Sequence, residues 1–296
     1  MYVNFDDSID VASYEYCECI KGEIPKYLRS MPSGCTPINF INFIKILYKK
    51  NSSLKSKAKS QIPKIIHQIW LGSDYPQEYN DYKKSWQDNH SGWEYILWTE
   101  DLITKEFNNN FYNQKLYDQA INNKNYAKAS DIARYEILYR FGGLYTDCDS
   151  QCFKEFDLLN FSYDFYAGLE HLDNGLVIGN ATIGAKKNHD ILRQCLLFIK
   201  EDADKEIDLT YWKGLCGYPE EVEKEYATTL VATGPILFSK AVWYMADKNQ
   251  NKDIIFPPTY FYPMAETKDY PIRTETFSCH YFKGVWKKSL QEQYKI

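Results

Sequence analysis

The sequence predicts an α/β fold: a mixed, mainly parallel sheet flanked by helices, with a helical N-terminal extension. Three observations predict it. IPKIIHQIW (62–70) and WEYILW (93–98) are apolar without alternation, as strands buried on both faces are. A helical stretch from about Gln77 to Asn89 separates them. Ala129, Ile132, Ala133 and Ile137 then recur at i, i+3, i+4 and i+8, which predicts a helix over 127–140 that Gly142 and Gly143 end.

In chain order, residues 1–60 read as a helical extension closing in the polar linker NSSLKSKAKSQ, and 61–296 as the main domain. Within the extension, the apolar run INFINFIKILY (38–48) is too short to cross a bilayer, which takes about 20 residues. Seven lysines follow or overlap it between 45 and 64 with no acid among them. Residues 38–64 therefore read either as a peripheral membrane contact or as a docking helix followed by a solvated linker. In the main domain, LYTD (144–147) is expected as a strand after the glycine pair. FYAGLE (165–170) and GLVIGNATIGAK (175–186) are strand-like, a helix is expected from about Asp190 to Lys200, and another begins at Gly234-Pro235. IIFPPTYFYP (254–263) is the last apolar stretch of the sheet region.

Composition limits the function. A chain of 296 residues with 44% hydrophobic and 25% charged residues can bury a sizeable core. Its 26 tyrosines suit a polar ligand cleft, sugar sites included, although frequent Asn, Lys and Ile also indicate biased usage. A net charge of −5 argues against a nucleic-acid partner. The first thirty residues hold scattered acids and no continuous apolar segment, so a cytoplasmic location is expected, peripheral to a membrane if 38–64 makes that contact. Eight cysteines are spaced irregularly with no C-x-x-C pair, which predicts reduced thiols and no zinc site.

The chemistry concentrates in SDIARYEILYRFGGLYTDCD, Ser130 to Asp149. In an extended segment Asp147 and Asp149 would share one side, with Cys148 on the other. Two hard oxygen ligands suit Mg²⁺ or Mn²⁺, and an ion so held can grip a diphosphate. Strand ends of open α/β sheets are where ligands gather. Asp131 and Arg134 stand one helical turn apart, the spacing of an i, i+3 ion pair.

IPKIIHQIWLG, SDIARYEILYRFGGLYTDCD, TGP (233–235), FYP (261–263) and HYFKGVW (280–286) resemble, in this order, the successive blocks of glycosyltransferase family 32. These are DXD-containing sugar transferases whose core is shared with the catalytic domains of large clostridial glucosylating toxins. The resemblance covers roughly 62–286. It implies a GT-A fold, a nucleotide-sugar donor, a divalent metal and retention of anomeric configuration. It further implies a metal site of Asp147, Asp149 and His280, in which Asp149 binds the ion directly, Asp147 reaches the donor ribose or a metal-bound water, and His280 is the distal ligand, with imidazole favouring Mn²⁺ over Mg²⁺. Asp131 and Arg134 would hold the donor sugar, Trp70 would stack on the base, and Asn180 would face the donor sugar or the acceptor. Lys283 and Trp286 would cover the diphosphate as a tail lid.

The expected activity is metal-dependent transfer of a hexose from a nucleotide-diphosphate sugar, UDP-linked in preference to GDP-mannose, to a hydroxyl of a glycan, lipid or protein. With no carboxylate assignable as a covalent nucleophile, a front-face displacement is expected. A non-catalytic nucleotide-sugar or glycan-binding module is the alternative. A D-x-D phosphohydrolase is a remote one, because Gln151 occupies the position where that chemistry needs Thr or Val.

Overall fold

The computed structural model describes residues 3–8, 37–53, 60–172, 175–203, 220–263 and 272–284. Strands β1 (Ile65–Ile69), β2 (Glu94–Trp98), β3 (Gly143–Thr146), β5 (Phe165–Leu172), β6 (Gly175–Ala185) and β7 (Asp253–Phe256) form one sheet in the order β2-β1-β3-β6-β5-β7. β1 is parallel to β2 and β3, and β5 to β7, whereas β6 is antiparallel to both its neighbours. Five strands thus share one direction, and the sheet is mixed and mainly parallel as expected. β4 (Ser150–Cys152) and β8 (Ser278–His280) make a separate two-stranded antiparallel ribbon that pairs Ser150 with His280.

Helices α2 (Asn80–Asn89), α3 (Glu100–Phe107), α4 (Gln114–Asn122), α5 (Tyr126–Phe141), α6 (Asp157–Ser162), α7 (Asp190–Glu201), α8 (Glu220–Ala232) and α9 (Pro235–Met245) surround these strands. Thr99 caps α3 by accepting from Leu102 N–H, and Pro235 starts α9 with a preset φ. α5 is buried from Asp131 through Leu138 on every side, including Asp131, Arg134 and Glu136. A helix enclosed in this way must satisfy its charges internally.

The turn from α5 into β3 is built on His67, which is fully buried in β1. Its Nδ1 accepts from the Trp98 indole N–H at 3.0 Å, so the proton sits on Nε2, which donates to Gly142 O at 2.8 Å. Burial pushes the His67 pKa down to about 4 against the opposing Gly142 bond, and the ring is neutral. Gly143 has φ +110°, and a Cβ there would lie 2.7 Å from Ile65 O and 2.9 Å from His67 Nε2. Only glycine fits.

Ahead of the sheet, α1 (Pro37–Asn51) packs on β7, burying Phe40, Ile41, Ile44, Leu47 and Tyr48 in the same core. The apolar run therefore turns most of its side chains inward, as a docking helix does, and leaves Ile38 and Ile46 exposed beside Lys49 and Lys50. Val3 and the single helical turn Phe5–Ser8 lie against Tyr48, whose hydroxyl donates to Val3 O at 3.0 Å. The remainder of the extension, with its linker at 54–59, falls outside the described residues. Cys148, Cys152, Cys195 and Cys279 are free and buried, in line with reduced thiols, and the other four cysteines lie outside the described residues. No helix among the described residues is long and apolar enough to cross a membrane.

Candidate functional site

The chain leaves β3 at Thr146, and Asp147-Cys148-Asp149 form a turn in which Ser150 N–H donates to Asp147 O at 3.2 Å. This corrects the extended geometry expected for the motif. Ser150 has to enter the ribbon with β8 immediately, and that forces the bend. The acids nonetheless converge, because the ribbon places His280 between them: its Nε2 lies 3.1 Å from Asp149 Oδ1 and 3.7 Å from Asp147 Oδ2. Cys148 points away, its thiol on Ile69 O at 3.4 Å. One donor atom each from Asp147, Asp149 and His280 falls within 4.8 Å of the others. Two carboxylate oxygens and an imidazole nitrogen fit a divalent metal ion.

Burial works to lower the His280 pKa, but the Asp149 carboxylate, helped by Asp147 and Glu170, outweighs it and holds the ring at about 9. Burial likewise works against the Asp149 anion, yet His280 and the Lys283 N–H keep its pKa below the usual carboxylate range. That N–H donates to Asp149 Oδ2 at 2.8 Å. The tail bends there through Phe282 at φ +48°, with its ring centroid 4.2 Å from that of His280. The His280 Nδ1 is buried and has no hydrogen-bond partner among the described residues.

On the α5 side the groups are tied together. Arg134 Nη2 is 3.3 Å from Asp131 Oδ1, and Nη1 is 3.3 Å from Asp147 Oδ1. Nη1 also donates to Asn180 O at 2.8 Å, and the guanidinium lies 4.5 Å above the Tyr145 ring. Tyr145 Oη donates to Asp147 Oδ1 at 2.6 Å. The i, i+3 pair that the spacing predicted thus exists, and it is buried and continuous with the D-x-D acids. Asn180 Nδ2 donates to Asp131 Oδ1 at 2.9 Å and to Tyr135 Oη at 3.0 Å, while Thr233 Oγ1 donates to Asp131 Oδ2 at 3.0 Å. Burial raises the Asp131 carboxyl to about 6, and Arg134 and the bonds from Thr233 and Asn180 keep it from rising further.

Trp70 ends the first strand region beside this centre and joins an aromatic shelf with Tyr75 and Tyr79, ring centroids 5.5 and 5.3 Å away. Its indole N–H donates to Asp74 O at 3.1 Å. Lys283 Nζ sits 5.6 Å from the Tyr79 ring and 5.1 Å from the Tyr82 ring. The fold therefore gathers Asp131, Arg134, Asp147, Asp149, Asn180, His280 and Lys283, with Trp70 on the adjoining shelf; Trp286 lies outside the described residues. Tyr135, Tyr145 and Thr233 are site members that the sequence reading did not single out. Tyr145 stood two residues before the first acid, and Thr233 opened the TGP block, but neither pattern says which atom it meets.

A cluster able to hold a cation, linked by a buried arginine to a third carboxylate, offers groups of both signs side by side for a polar ligand. Residues 76–166 match the family model for the glycosyltransferase sugar-binding region containing DXD motif. The chain is 30% identical over 210 residues to inositol phosphoceramide mannosyltransferase 3 of Schizosaccharomyces pombe, covering 69% of this chain and 52% of that protein. It is also 30% identical to mannosyl phosphorylinositol ceramide synthase SUR1 of Saccharomyces cerevisiae, covering 67% of this chain and 47% of that one. The chain thus spans about half the length of these curated relatives. Among solved structures, PaToxG glycosyltransferase superposes with a TM-score of 0.49 at 18% identity, over 80% of this chain and 81% of that one. Through residues 76–166, which carry Asp131, Arg134, Asp147 and Asp149, this chain belongs to the family of DXD-containing glycosyltransferase sugar-binding regions.

Proposed function

We propose that the chain is a metal-dependent, retaining glycosyltransferase that moves a hexose from a nucleotide-diphosphate sugar to a hydroxyl of a glycan, lipid or protein. One observation carries this reading: the Asp147, Asp149 and His280 cluster is joined through Arg134 to the buried Asp131. Asp147, Asp149 and His280 would hold the ion, which when bound neutralises charge on the departing diphosphate. Asp131 accepts from sugar hydroxyls, and Arg134 donates to a hydroxyl or a phosphate oxygen. Trp70 offers a stacking face to the base, and Lys283 supplies a point charge near the diphosphate.

The relatives named as mannosyltransferases support a mannosyl donor, so GDP-mannose is tested together with the UDP-hexoses that the family resemblance suggested. Their names, which specify inositol phosphoceramide and phosphorylinositol ceramide, make a phosphoinositol lipid the first acceptor class to test. The decisive experiment is a donor screen in Mn²⁺ reading free sugar released from GDP-mannose and UDP-hexoses, with calorimetry of GDP and UDP binding. Donor cleavage that stops when the metal is chelated is the expected result. Metal-dependent nucleotide affinity without turnover for any donor or acceptor would overturn it in favour of a binding module.

A further inference from the structure

The hydrogen bonds around Asp131 close into a ring. Thr233 Oγ1 donates to Asp131 Oδ2, Asn180 Nδ2 donates to Asp131 Oδ1 and to Tyr135 Oη, and Tyr135 Oη donates to Thr233 O at 2.8 Å. Every member is at least nine-tenths buried. The ring joins α5, β6 and the turn between α8 and α9, three elements that β-sheet pairing does not hold in common.

The turn is shaped for this contact. Thr233 N–H and Gly234 N–H both donate to Thr229 O, at 3.1 and 2.9 Å, which closes α8 and aims the threonine side chain at α5. A Cβ on Gly234 would lie 2.9 Å from Leu230 Cα, so the chain passes too close for any other residue. Pro235 then starts α9. Each residue of Thr-Gly-Pro has its own physical reason, and the hydroxyl of the first is the one group of the three that reaches the site.

Resting on the sugar-transfer reading, we infer that Thr233 is a positioning residue: its hydroxyl fixes Asp131 Oδ2 beside Arg134 and so presents the carboxylate to the donor sugar in a single orientation. Both amide hydrogens of Asn180 are spent within the ring, so the oxygen is what Asn180 has left to offer a ligand. The charged and titratable groups facing Asp131 are Arg134 and Tyr135 on its own helix and Asp147 after β3; Asn180 on β6 and Thr233 complete its polar surroundings. Removing the Thr233 donor leaves burial less opposed, and the carboxylate gives up its charge more readily.

The test compares Thr233→Val, which keeps the shape and loses the donor, with Thr233→Ser, which keeps the donor. With the donor chosen by the screen, Thr233→Val should lower kcat/KM about 10- to 100-fold. The acid limb of its pH profile should move up by about one unit, with Thr233→Ser close to wild type in both. Affinity for the bare nucleoside diphosphate with Mn²⁺ should not change, because Thr233 touches neither metal ligand nor base. Equal damage in both variants, or an unmoved acid limb in Thr233→Val, would overturn the proposal. Should wild type cleave no donor, the sugar-transfer reading fails while the role of Thr233 is still decided by stability against pH. A carboxyl whose folded pKa is raised loses stability as pH climbs through it. The deficit of Thr233→Val relative to wild type must therefore widen from pH 5 to 8, while Thr233→Ser stays level; a deficit independent of pH refutes it.

Discussion

The two flanks of the site are built differently. On the α5 flank the Asp131 and Arg134 side chains are 8% and 7% exposed, and besides their mutual pair they are bonded to Asn180 and Thr233 from other elements. On the tail flank the Asp147 and Asp149 side chains are 25% and 14% exposed and face His280 at 3.7 and 3.1 Å. A buried carboxylate bonded on both oxygens has one orientation, and two half-buried acids around an imidazole keep more freedom to rearrange. On the proposed function, the flank assigned to the sugar is thus more rigidly built than the flank assigned to the metal.

Arg134 pairs with acids on both flanks, so replacing it should break the contrast. Arg134→Met leaves Asp131 buried without its cation, and unfolding in urea should show a loss of roughly 3–5 kcal/mol. A loss below about 1 kcal/mol would mean that the α5 flank is held by its hydrogen bonds alone. Asp149→Asn touches only the tail flank: turnover should fall about a thousandfold or more, roughly 4 kcal/mol of transition-state stabilisation, with an unchanged circular dichroism spectrum. Unchanged turnover in that variant would remove Asp149 from the chemistry.

Adding the ion sharpens the distinction without a change in sequence. At a Mn²⁺ concentration about 100 times its Kd, wild type should gain about 2.7 kcal/mol, read as a rise in Tm, and His280→Ala should gain far less. Acid, finally, acts on the support under both flanks. The folded pKa of His67 is lowered to about 4, so the unfolded chain binds the proton first. That stability is fully present above about pH 6.5 and is lost as pH falls, by roughly 2 kcal/mol between pH 7 and 5. His67→Gln should flatten that part of the stability profile; an unaltered acid limb would place the titration elsewhere.

The α5 flank was legible in the sequence as far as its helix reached. Apolar spacing and the glycine pair gave α5, observed as Tyr126–Phe141, and the i, i+3 spacing gave the Asp131 and Arg134 pair. What periodicity could not give was anything contributed from across the chain: Thr233, 102 residues from Asp131, or the pairing of Ser150 with His280. The ribbon strands are three residues each, below the length at which alternation can be seen. β6 reads like its parallel neighbours because burial on both faces makes the residues apolar whichever way the strand runs. The D-x-D acids were placed on one side for the wrong reason, since the demand that Ser150 meet β8 is invisible from the tripeptide.

The ring around Asp131 also bears on how the molecule comes to exist. Its members stand at 131, 135, 180 and 233, and the tail flank adds 280, so both flanks depend on closing loops of about fifty to a hundred and thirty residues. During synthesis the helix bearing Asp131 and Arg134 is made long before Thr233 and His280 emerge. A nascent chain therefore holds Asp131 without its threonine donor and Asp149 without its imidazole partner until these late residues arrive, and the assembled site should appear late and abruptly.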